Sequence, residues 1–351
     1  MQQVTAPRRA GTRLDARLHP CPLMTPTLMP ALRVHDFAGP KHWRLEDVPV
    51  PTPGPGQVLV RVAATAISFV DLLQARGGYQ VKPALPTTPG TEFSGHVVST
   101  GDGVSGWTPG QAVAGKSSSG AWAQYTLAEA DALLPLPADV DPVAASDLAV
   151  TAATAVHALH QRAQLQAHET VLILGAAGGV GLAAVQVARD IGAAVVAAAR
   201  SPAKREALRA LGADHVIDSQ DPRWRDALRA WQPQGVDVVI DPLGGAYTEP
   251  AFRSLRWGGR HIVVGFAAGD IPRLPTNLPL LKGAALMGVD IRQLPLQVPD
   301  TAAANQGLTA ALFERGVLNT PVASRLDHRD WAEAVSKAQE RAALGKVVMT
   351  W

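Results

Sequence analysis

A glycine-rich segment is the part of this sequence whose residue types and spacing best suit chemistry. Between the apolar run 171–174 and the helix-like run 182–191 it reads Gly175-Ala176-Ala177-Gly178-Gly179-Val180-Gly181. A helix that begins in such a turn offers free N–H groups and partial positive charge to an anion, and Gly178 lets the backbone approach it. Gly181 allows the helix to pack closely on the strand, while Ala176 replaces the leading glycine of G-x-G-x-x-G, next to Gly175. The segment predicts a dinucleotide pyrophosphate site; the alternative is a tight turn without a ligand.

The residues after the second apolar run indicate which dinucleotide binds. NAD-dependent sites usually have an acidic residue there, whereas this chain has Arg200, Ser201 and Lys204 after Ala199. Arg200 and Lys204 suit a 2′-phosphate, and the Ser201 hydroxyl is able to donate a hydrogen bond to it. The alternative is that these are ordinary solvated residues at a helix start. The sequence favours NADPH over NADH.

Apolar and helical segments alternate around this loop, and their order predicts the elements that position it. Strands are predicted at residues 171–174, 193–199, 215–218, 236–241 and 261–265, with a helix at 202–212. This βαβ alternation predicts a parallel sheet with helices on both faces. Residues 32–148 instead alternate short apolar runs with Gly and Pro turns, which predicts short strands.

The same patterns divide the chain. We expect an extension at 1–28, a strand-rich domain that begins with 29–148, a dinucleotide-binding domain at 149–290, and a segment 291–351 that completes the first domain. Within the last segment, helices are predicted near 301–315 and 330–343 and a strand at 347–349. The extension is rich in arginine and lacks an apolar core. It is either an organellar presequence or a stretch upstream of a start at Met24 or Met29.

Composition and charge exclude several classes of function. With 351 residues, 47% hydrophobic and 18% charged, the composition is globular. A net charge of +2 provides no broad field for nucleic acid or acidic membranes, so we expect neither as a partner. No run approaches the ~18 to 20 apolar residues of a membrane span. The single cysteine, Cys21, excludes an internal disulfide and fits a reducing, cytoplasmic location.

Six short motifs in a fixed order resemble one known family. They are residues 53–58 (PGPGQV), 89–95 (PGTEFSG), 175–181, 211–214 (LGAD), 241–245 (DPLGG) and 345–348 (GKVV). On these motifs the chain resembles the zinc-free quinone oxidoreductases of the medium-chain dehydrogenase/reductase superfamily, the group that includes zeta-crystallin. The resemblance implies an α/β fold with a GroES-like β-barrel catalytic domain and a Rossmann domain with a doubly wound parallel sheet. The active site is then expected in the cleft between them.

The resemblance also implies candidate catalytic residues. Residues 67–79 match the family's active-site stretch, N-x-x-D followed eight residues later by Tyr, with Asp71 and Tyr79 in place and Ser68 instead of Asn. Since the tyrosine of related enoyl reductases donates a proton or positions the substrate, Tyr79 is the leading candidate, with a packing role as the alternative. Asp71 either orients the loop or donates a proton. The Ser68 hydroxyl reaches less far than an amide and offers one proton instead of two.

Further cofactor contacts, and the absence of a metal site, follow from the family match alone. The matched contacts are Thr151, Gly244, Gly265, Phe266 and Lys346. Zinc-containing relatives carry a cysteine near the position of Ser68 and a histidine at the position of Thr91, so we expect no metal. At 290–293, Asp-Ile-Arg-Gln replaces the aromatic residues and glycine that relatives often carry beside the acceptor pocket.

These features together predict an NADPH-dependent, metal-independent reductase that transfers hydride to a quinone or an α,β-unsaturated carbonyl. A 2-enoyl thioester reductase and a cofactor-binding protein without turnover remain the alternatives. The apolar segment 280–289 lies where family members pair the last Rossmann strand across a two-fold axis, which predicts a homodimer. The alternative is that residues 280–289 are simply buried within one chain.

Overall fold

The computed structural model of the protein describes residues 25–342 and 344–351. Residues 1–24, which hold Cys21, Met24 and most of the predicted extension, lie outside the described residues. The Thr27 carbonyl accepts a hydrogen bond from the Val50 amide, and the first strand begins at Leu28. The described fold therefore starts slightly before the end of the predicted extension.

The first domain consists mainly of antiparallel strands. They are β1 (Leu28–Val34), β2 (Trp43–Pro49), β3 (Gln57–Ala66), β4 (Glu92–Thr100), β5 (Ala112–Lys116), β6 (Tyr125–Glu129) and β7 (Leu133–Pro135), with helix α1 (Phe69–Gln74) between β3 and β4. Strands β1 and β2 form a separate ribbon, whereas β3, β4, β5 and β7 pair in that order and β6 pairs with β3. Val60, Phe93 and Val113 fill the core between these strands. The Gly and Pro turns of the sequence separate the strands, as predicted.

The second domain is a six-stranded parallel sheet. Its strands are β8 (Thr170–Ile173), β9 (Ala194–Ala199), β10 (His215–Asp218), β11 (Val236–Asp241), β12 (Leu255–Val263) and β13 (Ala285–Gly288). Their order, β10-β9-β8-β11-β12-β13, is the order of a doubly wound dinucleotide-binding sheet. The helices α4 (Gly179–Ile191), α5 (Pro202–Ala210), α6 (Trp224–Trp231), α7 (Thr248–Arg253) and α8 (Asn277–Lys282) cover it.

Both faces of the parallel sheet are buried, as the continuous apolar runs predict. Val171 and Ile173 of β8 pack in one core, whereas Leu172 and the following Leu174 pack in the core on the opposite face. The predicted α/β fold class is confirmed. The strand predicted at 261–265 overlaps only the end of β12, which ends at Val263 and begins earlier, at Leu255. Its first half carries polar and glycine residues that hide it in the sequence.

An apolar helical stretch, Pro142–Arg162, joins the two domains. It contains α2 (Pro142–Ala145), a π-helical turn (Leu148–Ala152), α3 (Ala153–Val156) and a second π-helical turn (His157–Arg162). Among the described residues it is the one helix long and apolar enough to cross a membrane, yet 83% of that apolar window is buried inside the protein. Burial of this extent is that of a core helix.

The segment after 290 contributes to both domains. It contains α9 (Leu294–Gln297), α10 (Pro299–Glu314), β14 (Val322–Asp327), α11 (Trp331–Glu340) and β15 (Lys346–Thr350). Helix α10 places Leu312 in the core of the parallel-sheet domain. Strands β14 and β15 then extend the seven-stranded sheet, in which β15 pairs antiparallel with β3. The return to the first sheet thus begins at β14 rather than at residue 291.

Candidate functional site

A cavity of about 2640 Å³ lies between the two domains and is lined by residues of both. Because a single small-ligand pocket usually measures about 300 to 1,000 Å³, this cleft has room for a dinucleotide together with a second molecule. Most of the predicted site residues line it: Ser68, Tyr79, Thr151, Gly175, Ala177, Gly178, Gly179, Val180, Gly181, Arg200, Lys204, Gly265, Phe266 and Lys346. Four predicted residues lie behind the lining: Asp71, Ala176, Ser201 and Gly244.

The glycine-rich turn has the shape of an anion site. Gly175 adopts φ +55°, and a Cβ atom there would lie 2.9 Å from Leu243. A Cβ atom on Gly181 would lie 2.4 Å from the Gly175 carbonyl oxygen, so the approach of α4 to β8 requires glycine. Helix α4 begins after Gly178 with no side-chain cap, which leaves its first N–H groups free for an anion. These residues fit a dinucleotide pyrophosphate.

Basic side chains gather where the end of β9 enters the cavity. Arg200 and Lys204 both line it. Burial lowers the pKa of Lys204, and the nearby guanidinium groups of Arg200 and Arg341 lower it further. In the structure, Ser201 is the N-cap of α5, because its Oγ accepts a hydrogen bond from the Lys204 amide. Ser201 is not part of the cavity lining, and a hydrogen bond from its hydroxyl to a 2′-phosphate stays a prediction.

Arg341, which follows α11, joins this basic group and was not predicted. Its guanidinium donates to the Ala267 carbonyl oxygen at 3.0 Å and lies 4.8 Å from the centroid of the Phe69 ring. Its own carbonyl oxygen accepts from Lys204 Nζ at 2.5 Å. One residue of the returning segment therefore contacts α1 of the first domain and two parts of the second. No local pattern in the sequence points to it.

The Ser68 loop is held by reciprocal hydrogen bonds. Ser68 Oγ accepts from the Asp71 amide at 3.1 Å, and Asp71 Oδ2 accepts from the Ser68 amide at 2.8 Å, which is a capping box for α1. Asp71 Oδ1 accepts from both the amide and the hydroxyl of Thr91, each at 2.8 Å. Burial raises the pKa of Asp71, and these hydrogen bonds oppose that rise. The Asp71 carboxyl orients the loop and does not face the cavity.

Tyr79 lies in the loop that follows α1 and lines the cavity with a partly exposed side chain. Its hydroxyl has no hydrogen-bond partner among the described residues. Ser68 lines the same part of the cleft, and its hydroxyl proton is not used by the capping box, where Oγ is the acceptor. Two hydroxyl donors are therefore available to a molecule bound beside α1.

Glu92 is buried beneath the cleft, where it binds the π-helical turn that carries Thr151. Glu92 Oε2 accepts from the amides of Val150 and Thr151 at 3.1 and 3.0 Å, and Glu92 Oε1 accepts from the Thr151 hydroxyl at 2.5 Å. Burial, and then the negative charge of Asp147, raise the pKa of Glu92 to about 8. The hydroxyl of Thr151 is thereby directed at this carboxyl group.

Lys346 is buried beside this group and forms an ion pair. Its Nζ donates to Asp147 Oδ1 at 2.7 Å and to the Ala144 carbonyl oxygen at 2.8 Å. Both side chains are almost fully buried. Lys346 does line the cavity, as a cofactor contact would. Two of the three N–H groups of its ammonium, however, already donate to Asp147 and to the Ala144 carbonyl oxygen.

The loop after β11 is organised by a buried aspartate. Asp241 Oδ1 accepts from the amides of Leu243 and Gly244, at 3.0 and 2.8 Å. Asp241 Oδ2 accepts from the Thr248 hydroxyl at 2.6 Å and lies 3.1 Å from His261 Nε2. Hydrogen bonds and the nearby His261 together lower the pKa of Asp241 despite its burial. Gly244 shapes this turn, whereas Gly265 and Phe266 after β12 line the cavity.

Comparison with known proteins decides the family. The alcohol dehydrogenase GroES-like domain family matches residues 54–138, and the zinc-binding dehydrogenase family matches residues 179–305. The chain is 35% identical over 301 residues to quinone oxidoreductase-like protein 2 of Mus musculus, with 85% of each chain covered. It is 36% identical over 267 residues to the quinone oxidoreductase of Rattus norvegicus, covering 75% of this chain and 80% of that one. The chain belongs to the zeta-crystallin-like family of medium-chain dehydrogenases/reductases.

Solved structures of the same superfamily share the fold of this medium-chain oxidoreductase. A mycobacterial protein complexed with NADPH has a TM-score of 0.83 and 26% identity, over 92% of this chain and 100% of that one. The enoyl reductase CurK has a TM-score of 0.84 and 25% identity, over 92% of this chain and 99% of that one. The protein described by this structure is an oxidoreductase that uses a nicotinamide cofactor.

A zinc ion does not fit the side chains that line this medium-chain oxidoreductase's cleft. In the part of the chain that the structure describes, no three His, Cys, Asp or Glu residues come together as metal ligands. Thr91, at the position of the zinc-binding histidine of other members, directs its hydroxyl to Asp71.

Proposed function

We propose that this protein is an NADPH-dependent, zinc-independent reductase that transfers hydride to a quinone or an α,β-unsaturated carbonyl. The observation that carries the proposal is one continuous cavity. It joins the glycine-rich turn and the basic residues Arg200 and Lys204 to the hydroxyls of Ser68 and Tyr79. A nicotinamide cofactor and an acceptor can therefore be held together in one site.

The bound cofactor would supply the hydride, and the side chains of the cleft would bind and orient the reactants. Hydride addition to the β-carbon of an enone places negative charge on the carbonyl oxygen, which must be stabilised or protonated. Ser68 and Tyr79 are two hydroxyl donors that line the cavity beside α1. Tyr79 donates its proton or a hydrogen bond to this oxygen, and Ser68 adds a second hydrogen bond. Asp71 and Thr91 hold the loop that carries Ser68.

A panel of acceptors tests the proposed reaction. Quinones, enones and 2-enoyl thioesters are each mixed with the protein and NADPH, and the cofactor absorbance is followed. We expect steady NADPH consumption with a quinone or an enone. Consumption with enoyl thioesters alone would favour the thioester reductase. Binding of NADPH without turnover on any acceptor would instead support a cofactor-binding protein.

We also propose that two copies associate through the edge of the parallel sheet. Strand β13 lies at that edge, and the nearby side chains of Leu280, Leu281 and Leu286 are 79%, 70% and 47% exposed. Trp257 is 79% exposed and contacts the same region, since a Cβ atom on Gly283 would lie 2.9 Å from its ring. Pairing would cover these apolar side chains and the open strand edge. Light scattering at micromolar concentration tests this: we expect the dimer mass, and a monomer mass refutes pairing.

A further inference from the structure

Lys116 is a cation of the cleft that the proposed reaction does not use. It ends β5, lines the cavity and is partly buried. The other lysines of the described cavity lining are engaged: Lys346 with Asp147, Lys204 with the Arg341 carbonyl, and Lys337 with Glu333. Lys116 alone among them has no ion pair and no side-chain hydrogen bond within the described residues.

The neighbours of Lys116 place it on the acceptor side of the cavity. The amide of the next residue, Ser117, donates to the Thr91 carbonyl oxygen at 3.0 Å. Thr91 in turn donates to Asp71, which holds the Ser68 loop. Strand β5 also packs beside the π-helical turn that carries Thr151. The chain around Lys116 therefore contacts both the residue that supports the Ser68 loop and the turn that carries Thr151.

Within the described residues, no carboxylate forms an ion pair with the Lys116 ammonium group. Glu92 is its partner in the β4–β5 register, but the Glu92 oxygens accept from Val150 and Thr151. Burial lowers the pKa of Lys116, and the carboxylate of Asp131 counteracts this without forming an ion pair. The neighbouring strand β7 contributes the apolar Leu134 to the cavity lining, and α10 contributes Ala302 to the same lining. An anion beside Lys116 would thus meet a partly buried cation that has no ion-pair partner among the described residues, and hydrogen bonds between ionised groups are stronger than neutral ones.

We propose that Lys116 binds a carboxylate group of the acceptor, so that the preferred substrates are enones or quinones that carry a carboxylate. This inference rests on the proposed reductase function, because it names the substrate class of the same cleft. The single ammonium group supplies the charge, and the apolar lining of β7 and α10 contacts the body of the substrate. The carboxylate would fix the direction in which the reactive double bond enters the cleft.

A matched pair of acceptors tests the role of Lys116. An enone carboxylic acid and its methyl ester share a skeleton and differ in charge. For Lys116→Met we expect the KM for the acid to rise about tenfold to a hundredfold, the range for a lost hydrogen bond to a charged group, with the ester unchanged. Lys116→Arg should restore part of the loss. Lys41→Met, at an exposed lysine outside the cavity, is the control and should change neither substrate.

A binding measurement separates this inference from the proposed reaction. Benzoate and benzamide are titrated by calorimetry into the NADPH-loaded protein and into the Lys116→Met and Lys116→Gln variants, whose melting temperatures are recorded. We expect benzoate, but not benzamide, to lose affinity in a variant that stays folded. If no acceptor is turned over while this pattern holds, the reductase function fails and the anion site stands. If benzoate affinity does not depend on Lys116, or if acid and ester respond equally, the anion site is refuted even when NADPH is oxidised.

Discussion

Arg341 is a basic residue of the cleft that comes from the returning segment and not from the parallel-sheet domain. Replacing it by methionine tests whether its guanidinium binds the cofactor phosphate. The change removes the guanidinium but keeps the Arg341 carbonyl oxygen, so the hydrogen bond from Lys204 Nζ is retained. It also removes the contacts with the Ala267 carbonyl oxygen and the Phe69 ring. If the guanidinium meets a 2′-phosphate beside Arg200 and Lys204, NADPH loses an ionic contact that NADH never makes.

The size of the effect follows from the exposure of Arg341. A hydrogen bond to a charged group contributes about 1.5 to 3 kcal/mol, or about tenfold to a hundredfold in affinity. Because the Arg341 side chain is exposed to solvent, screening places the expected loss for NADPH at the lower end, about tenfold. The lost contacts with Phe69 and Ala267 affect both cofactors alike. The ratio of the two dissociation constants therefore isolates the phosphate contact.

Fluorescence titration of NADPH and NADH into the parent and the variant measures this ratio. Arg223→Met is the matched control, since the Arg223 side chain is 81% exposed and does not line the cavity. The loss should diminish as the salt concentration rises. An unchanged ratio in Arg341→Met, or an equal change in the control, refutes the assignment of Arg341 to the phosphate.

Three further changes probe the rest of the cleft. Tyr79→Phe should lower kcat about a hundredfold for a quinone and more for an enone, with unchanged NADPH affinity; rates within a factor of two of the parent contradict a catalytic role. The raised pKa of Glu92 favours the protonated form in the folded state. The free energy of unfolding should therefore fall as the pH rises from 5 to 8, by up to about 1.4 kcal/mol per pH unit. Urea denaturation at several pH values should find that the free energy of unfolding of Glu92→Gln depends less on pH than that of the parent. An identical pH dependence contradicts the raised pKa of Glu92. Lys346→Met leaves Asp147 buried without its partner and should lower the free energy of unfolding by about 3 to 5 kcal/mol in urea; Lys346→Met with Asp147→Leu should recover part of it.

The parallel sheet and its glycine-rich turn were predictable because their signals are local. Apolar runs of a few residues alternate with helical segments, and the glycine spacing lies within one turn. The roles of Ser201 and Lys346 were not predictable in the same way. A serine before a helix suits a helix cap as well as a phosphate contact. Lys346 meets Asp147 across 199 residues of sequence, and only the folded chain shows that pairing.

Arg341 and Lys116 likewise could not be identified as residues of the cleft from the local sequence. Arg341 reaches Lys204 across 137 residues, and its sequence neighbours give no sign of a ligand. Lys116 ends an ordinary short strand, and its significance lies in the absence of an ion-pair partner among the described residues. The resemblance to a family supplied the candidates of the Ser68 loop, but residues outside the shared motifs were found from the geometry alone.

The pairing of β15 with β3 has a consequence for the order in which the chain can fold. The parallel sheet is contiguous in sequence from β8 to β13, so all of its strands are present once residue 288 has left the ribosome. The seven-stranded sheet pairs Ala66 with Val348 and is incomplete until almost the whole chain has been synthesised. Domains generally fold as units, and contacts between distant residues form slowly because long loops must close first. During synthesis the edge of β3 that β15 covers stays open, so it is able to pair with other chains until β15 has formed.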